Sequence, residues 1–152
     1  MATQHKHRIL VVDDTPDNLF LMNALLEDRY DVVTADSGAA ALEMSRTKVP
    51  DLILLDIMMP HMSGFQVCQR LKSDPKTRDI QILMVTALNE LGDIERATEC
   101  GTDDFVSKPV NKFELHTRVK SLLKVRHLKS ELERALTYLN EMEQDTPDED
   151  VM

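Results

Sequence analysis

The sequence predicts an α/β fold: a doubly wound, five-stranded parallel sheet of strand order 2-1-3-4-5, covered by five helices of which the last is extended. Three observations carry that expectation. Short apolar runs such as ILVV at 9–12 and LILL at 52–55 alternate with stretches whose apolar residues recur at helical spacing. The runs are unbroken rather than alternating, which fits strands buried on both faces of a parallel sheet. Two of them end in acid, Asp13-Asp14 and Asp56, where the carboxyl ends of strands open into the crevice that receives ligands.

Residues 1–7 read as a flexible tail. His5 and His7 have no further metal ligand nearby in sequence, and termini are usually loose. Ile9–Val12 forms the first strand. Pro16 suits the first turn of a helix in which Leu19, Phe20, Met22, Leu25 and Leu26 share a face up to about Asp28. Val32 and Val33 make a second strand, and Ser37 caps a small helix through Ala41, Leu42 and Met44. The third strand runs from Leu52 to Asp56, inside the segment DLILLDIMMP around which the chain is organised. Ser63 and Gly64 open a helix with an apolar face of Phe65, Val67, Cys68 and Leu71, broken by Ser73-Asp74-Pro75-Lys76. Ile80–Val85 is the fourth strand and stops at Thr86-Ala87. A fourth helix is expected through Leu91, Ile94, Ala97 and Cys100, with Gly101 at its C-cap. Asp103–Val106 is the fifth strand, closed by Ser107-Lys108-Pro109. Connections this short imply right-handed crossovers.

The last helix begins near Asn111 and meets no glycine or proline until Pro147, about three times the average length of roughly 11–12 residues. Leu115, Val119 and Leu122 can pack on the sheet. Beyond them Val125, Leu128, Leu132, Ala135, Leu139 and Met142 follow a heptad spacing. The step from Leu122 to Val125 is one residue short of that rhythm, so the seam turns away from the body and projects on the order of 30 Å. A lone helix of this kind is marginal in water and wants a partner. The chain therefore divides into a tail (1–7), a domain (8–124), a coiled-coil-like extension (125–144) and a disordered acidic tail (145–152).

With 152 residues, 42% apolar and 30% charged, the composition is that of one ordinary soluble domain. No apolar run is long enough to cross a bilayer and no segment has a secretory layout, so a cytoplasmic protein without membrane contact is expected. Cys68 and Cys100 lack any CxxC or Cys/His spacing and are expected to be reduced, buried thiols. A net charge of −9 argues against direct nucleic-acid binding, which requires a basic surface to neutralise phosphates.

The predicted strand order brings Asp13 and Asp14, Asp56, Thr86 and Lys108 to one edge. Three carboxylates within about 5 Å repel by roughly 3 kcal/mol per pair at an effective dielectric near 20, and a hard divalent cation compensates. Carboxylates with waters and a phosphoryl oxygen are the usual Mg²⁺ environment. Lys108 adds an ammonium and Thr86 a hydroxyl donor. With no imidazole base in the set, the chemistry indicated is phosphoryl transfer to a carboxylate nucleophile.

DD at 13–14, LLDIMMP around Asp56, VTA at 85–87 and FVSKP at 105–109 recur in the order and spacing of bacterial two-component response regulators. From Arg8 to Lys124 the chain resembles their receiver (CheY-like) domain, of flavodoxin-like topology. The resemblance implies that Asp56 accepts a phosphoryl group from a histidine kinase or histidine phosphotransfer protein. It implies Mg²⁺ held by Asp13, Asp14, Asp56 and the Met58 carbonyl, and phosphoryl binding by Thr86, the Ala87 backbone and Lys108. It also implies a cis Lys108-Pro109 peptide and a switch in which Thr86 moves inward and Phe105 rotates. Phe105 lacks the phenolic hydroxyl that many members carry as tyrosine there. Met58 and Leu88 cannot orient a water, so slow self-dephosphorylation is expected.

No enzyme activity beyond the chain's own phosphorylation and dephosphorylation follows from this resemblance. A helix-turn-helix is not evident, so the expected output is a protein contact: a downstream target, or a homodimer through the extended helix. Similar helices join receivers to diguanylate cyclase or cyclic-di-GMP phosphodiesterase domains, so an excised input module is the alternative. A haloacid-dehalogenase-like phosphatase would need a second acid two residues after its nucleophile, and Met58 stands there.

Overall fold

The computed structural model describes residues 6–87, 95 and 99–145. Its elements run β1 (Arg8–Val12), α1 (Pro16–Leu26), β2 (Asp31–Ala35), α2 (Gly38–Thr47), β3 (Leu52–Asp56), α3 (Gly64–Ser73), β4 (Gln81–Thr86), β5 (Asp104–Ser107) and α4 (Lys112–Asp145). All strands pair in parallel, in the order β2-β1-β3-β4-β5. The described residues hold four helices rather than five. The expected helix through Leu91, Ile94 and Ala97 falls on residues outside the described set.

The continuous apolar runs are explained by two cores, one on each face of the sheet. Successive side chains of a strand point to opposite faces. Leu10, Val12, Ile53, Leu55, Ile82 and Met84 meet Ala41 of α2 and Val67, Cys68 and Leu71 of α3. Ile9, Val11, Leu52, Leu54, Leu83 and Val85 meet Met22 and Leu26 of α1 and Leu115, Val119, Leu122 and Leu123 of α4. Each such side chain taken fully from water contributes roughly 1.5–3 kcal/mol, so neither face can be left uncovered.

Local signals set the helix starts. Pro16 opens α1. The Ser37 hydroxyl accepts from the Ala40 amide at the head of α2. Ser63 and Gln66 form a reciprocal capping box on α3, and the Asn111 side chain accepts from the Glu114 amide at the head of α4. Several boundaries shift from the sequence reading because tertiary bonds decide them. α1 ends at Leu26 rather than Asp28, where the Arg29 and Tyr30 amides both turn back to the Leu26 carbonyl. β4 and β5 each sit one residue later than expected. Asp103 is withdrawn from β5 because its Oδ2 accepts from the Ile82 amide at 2.7 Å and from Lys72 Nζ at 2.9 Å. That anchor extends β5 to Ser107 and leaves Lys108 directly beyond the sheet.

α4 is one helix of 34 residues. Asp145, assigned above to a disordered tail, is its last residue. The body grips its first half: His116 Nε2 donates to the Leu25 carbonyl at 2.7 Å, and Arg118 pairs with Asp104 at 2.8 Å. Arg126 reaches Asp51 at 2.7 Å, before the helix projects. Beyond it Leu128, Leu132, Leu139 and Met142 are each half exposed, and Leu136 lies on the same stripe.

Candidate functional site

The register of the sheet builds the site. Val12 pairs with Leu55, Asp56 with Val85 and Thr86 with Ser107, so the carboxyl ends of β1, β3, β4 and β5 lie side by side. The residues that follow or end these strands are Asp13, Asp56, Thr86 and Lys108. Asp13, Asp14 and Asp56 each bring a carboxylate oxygen within 4.8 Å of the others. Lys108 Nζ lies 3.2 Å from Asp56 Oδ1 and 3.7 Å from Asp13 Oδ2. Asp13 and Asp56 are buried while Asp14 is exposed, so the cluster opens to solvent on one side.

Short-range bonds hold the frame. The Asp13 amide donates to the Ala35 carbonyl, and the Thr15 amide donates to Asp13 Oδ1 at 2.9 Å, which turns the chain away after the acid pair. The Lys108 amide donates to the Thr86 carbonyl at 2.7 Å, locking the lysine-bearing turn to the end of β4. The Lys108–Pro109 peptide is cis. Thr86 is buried at the strand end, and Ala87 beyond it is exposed. Phe105 is about a third exposed, pointing outward from β5 instead of filling the core. Met58 is exposed in the turn after β3, and Leu88 lies outside the described residues.

Burial pushes the Asp56 carboxyl above its usual range, and the Asp13 charge pushes the same way; Lys108 opposes both and Asp14 adds a little more. The folded protein therefore binds that proton more tightly than the unfolded chain does. Asp56 weighs against stability at neutral pH, and the burden eases as pH falls through the raised value toward the usual carboxylate range. Asp56→Asn removes the charge while keeping the shape. In metal-free buffer it raises the thermal midpoint by about 3 °C, on the order of 1 kcal/mol. A midpoint below that of the wild type would show that the Lys108 pair outweighs the acid repulsion.

The donor set is all oxygen, anionic and half open to water, which fits a hard divalent cation and not a soft one. It also places one ammonium beside two buried carboxylates, nearer to Asp56 than to Asp13, so a positive charge is at hand for an incoming anionic group.

Sequence reading missed the part played by Gly64. A Cβ there would lie 2.8 Å from the Ile57 Cα and closer still to the Asp56 carbonyl oxygen. The Gly64 amide instead donates to the Ile57 carbonyl at 2.9 Å, pinning the first turn of α3 against the end of β3. The glycine beside its Ser63 cap was visible in sequence, but only the packing of α3 on β3 shows why no side chain fits.

The family model described as response regulator receiver domain matches residues 9–120. The response regulator PleD of Caulobacter vibrioides is 46% identical over 126 residues, which cover 82% of this chain and 28% of PleD. RpaA of Synechocystis, a DNA-binding dual master transcriptional regulator, is 42% identical over 118 residues, covering 77% of this chain and 49% of RpaA. The chain thus spans half or less of these curated relatives. Among solved structures, the receiver domain of a signal transduction histidine kinase from Syntrophus aciditrophicus aligns with a TM-score of 0.74 at 35% identity, covering 78% of this chain and 90% of that one. A CheY-like receiver from Methanospirillum hungatei aligns with a TM-score of 0.77 at 26% identity, covering 82% and 99%.

Proposed function

The chain belongs to the response regulator receiver domain family, and from that premise we propose that it is a phosphorelay switch with Asp56 as the phosphoacceptor. The observation that carries this reading is the meeting of three carboxylates and one ammonium at the strand ends. An Asp56 carboxylate oxygen attacks the phosphorus of a phosphohistidine on a histidine kinase or phosphotransfer protein. The new P–O bond forms as the P–N bond breaks, and the imidazole leaves with a proton from solvent. Lys108 follows the charge from carboxylate to phosphoryl oxygen. The Thr86 hydroxyl and the Ala87 backbone amide donate to the remaining oxygens.

Asp13, Asp14, Asp56 and the Met58 carbonyl are the groups that would hold Mg²⁺. The ion supplies positive charge against the phosphoryl oxygens. Phosphorylation adds charge and acceptors, which makes ordering Thr86 worthwhile; Phe105, about a third exposed before phosphorylation, then turns inward. Met58 offers no hydrogen bond to an attacking water, so the phosphoryl group is long-lived. The test is incubation with a small phosphodonor and Mg²⁺ followed by intact mass. A gain of about 80 Da that disappears with a chelator is expected; an unmodified protein under both conditions would refute the reading.

For the output we propose contact through α4, either with a second copy or with a downstream protein. Its support is the half-exposed stripe Val125, Leu128, Leu132, Ala135, Leu139 and Met142, widened by Leu136. Charging the stripe with Leu132→Glu and Leu139→Glu should halve the sedimenting mass of a dimer. Equal masses for variant and parent would leave the stripe to another partner. The match to a 28% portion of PleD supports the companion reading, an input module of a larger regulator.

A further inference from the structure

The site at the strand ends does not use the two thiols. Cys68 lies on α3 and Cys100 precedes the turn into β5, 32 residues apart in the chain. Both are buried, fully for Cys68 and to 9% exposure for Cys100. The Cys68 thiol donates to the Cys100 carbonyl at 3.3 Å, which sets the two cysteines directly beside each other.

We infer that Cys68 and Cys100 are a redox pair that closes to an intramolecular disulfide when the protein meets a small peroxide. The division of labour is set by their surroundings. The hydrogen bond from Cys68 lowers the Cys100 thiol against the opposing effect of burial, helped by the Thr102 amide and the Lys72 charge. The same hydrogen bond and burial push the Cys68 thiol up. Cys100, the more exposed of the two, is therefore the attacking thiolate, and Cys68 is the resolving thiol. Cys100 sulfur takes one oxygen from hydrogen peroxide, giving a sulfenic acid and releasing hydroxide. Cys68 sulfur then attacks the Cys100 sulfur and displaces its hydroxyl, which leaves as water with the Cys68 proton. The pair loses two electrons, and the peroxide is reduced to two waters once its hydroxide takes up the proton that Cys100 gave up.

Such a bond would tie α3, whose first turn rests on the Asp56–Ile57 backbone, to the chain between Thr86 and Phe105. On the receiver reading, that places an oxidation input at the entry to the strand that carries Phe105, one of the two switch residues. A transient, sensing disulfide is the form in which such bonds occur in reducing compartments.

The test is brief treatment of the folded full chain with dilute peroxide, then denaturing alkylation and peptide mapping without reductant. Expected is a linked peptide pair joining Cys68 to Cys100, lighter by about 2 Da than the two thiol peptides and reversed by dithiothreitol. The link should be lost in both Cys68→Ser and Cys100→Ser. In Cys68→Ser, with no resolving thiol, oxidised Cys100 should instead be trapped by dimedone. Asp56→Ala should form the link as the parent does, so failure of the phosphoacceptor reading leaves this result unaffected. Two alkylatable thiols after treatment, or disulfides that join separate chains, would overturn the inference.

Discussion

Asp56→Ala is expected to take up no phosphoryl group under conditions where the parent should gain about 80 Da, a loss of at least ~1000-fold in rate. The neighbouring acids cannot replace it. Asp13 Oδ1 is committed to the Thr15 amide, and its Oδ2 stands farther from Lys108, at 3.7 Å against 3.2 Å for Asp56. Asp14 is exposed, with water to solvate its charge, while Lys108 pairs with Asp56 and Asp13, so an attacking oxygen at Asp14 would lack the ammonium that stabilises the incoming group. The substitution leaves the fold intact because Asp56 is the final residue of β3 and its backbone pairing with β4 does not use the side chain. Intact mass before and after donor treatment checks this, with circular dichroism as the control. A variant that still gains the mass would move the acceptor to another carboxylate.

Gly64→Val unfolds or severely destabilises the protein, by about 3 kcal/mol or more. Its Cβ would have to occupy the space of the Asp56 carbonyl oxygen and lie 2.8 Å from the Ile57 Cα. The obstacle is the Asp56–Ile57 backbone, so no rotamer change relieves it. α3 must lift off β3, losing the Gly64–Ile57 hydrogen bond and loosening Phe65, Val67 and Cys68 from the core. Because the displaced strand end carries Asp56, divalent-ion affinity falls along with stability. Gly101→Ala is the control. Gly101 has φ of 89° but its nearest obstacle is Lys72 Cγ at 3.4 Å, a flexible side chain, so the cost is about 1 kcal/mol from the backbone alone. Denaturant titration and Mg²⁺ calorimetry on the two variants separate the effects; equal losses would mean that the contact with the Asp56 turn has no special weight.

The two faces of the sheet were legible from the chain because the apolar runs are unbroken, so the side chains on both faces of each strand need cover. Leu52 to Leu55 fitted a strand covered on both sides, and all four are buried. Caps were legible for the same local reason, as Ser37 and Ser63 show. The candidate site could be assembled on paper because a parallel sheet delivers all its carboxyl ends to one edge, so Asp13, Asp14, Asp56, Thr86 and Lys108 needed only a strand order to be brought together. Local pattern and topology were sufficient there.

Distances, registers and close approaches were decided only in three dimensions. Whether Lys108 stands nearer Asp56 or Asp13 depends on where β5 stops, and that depends on Asp103 being held by Lys72 and the Ile82 amide from distant parts of the chain. The tight fit at Gly64 and the meeting of Cys68 with Cys100 are likewise products of packing between elements. Periodicity describes what a segment buries, whereas the atoms it meets are chosen by partners far away in sequence; that is why the chemistry could be read along the chain and its geometry could not.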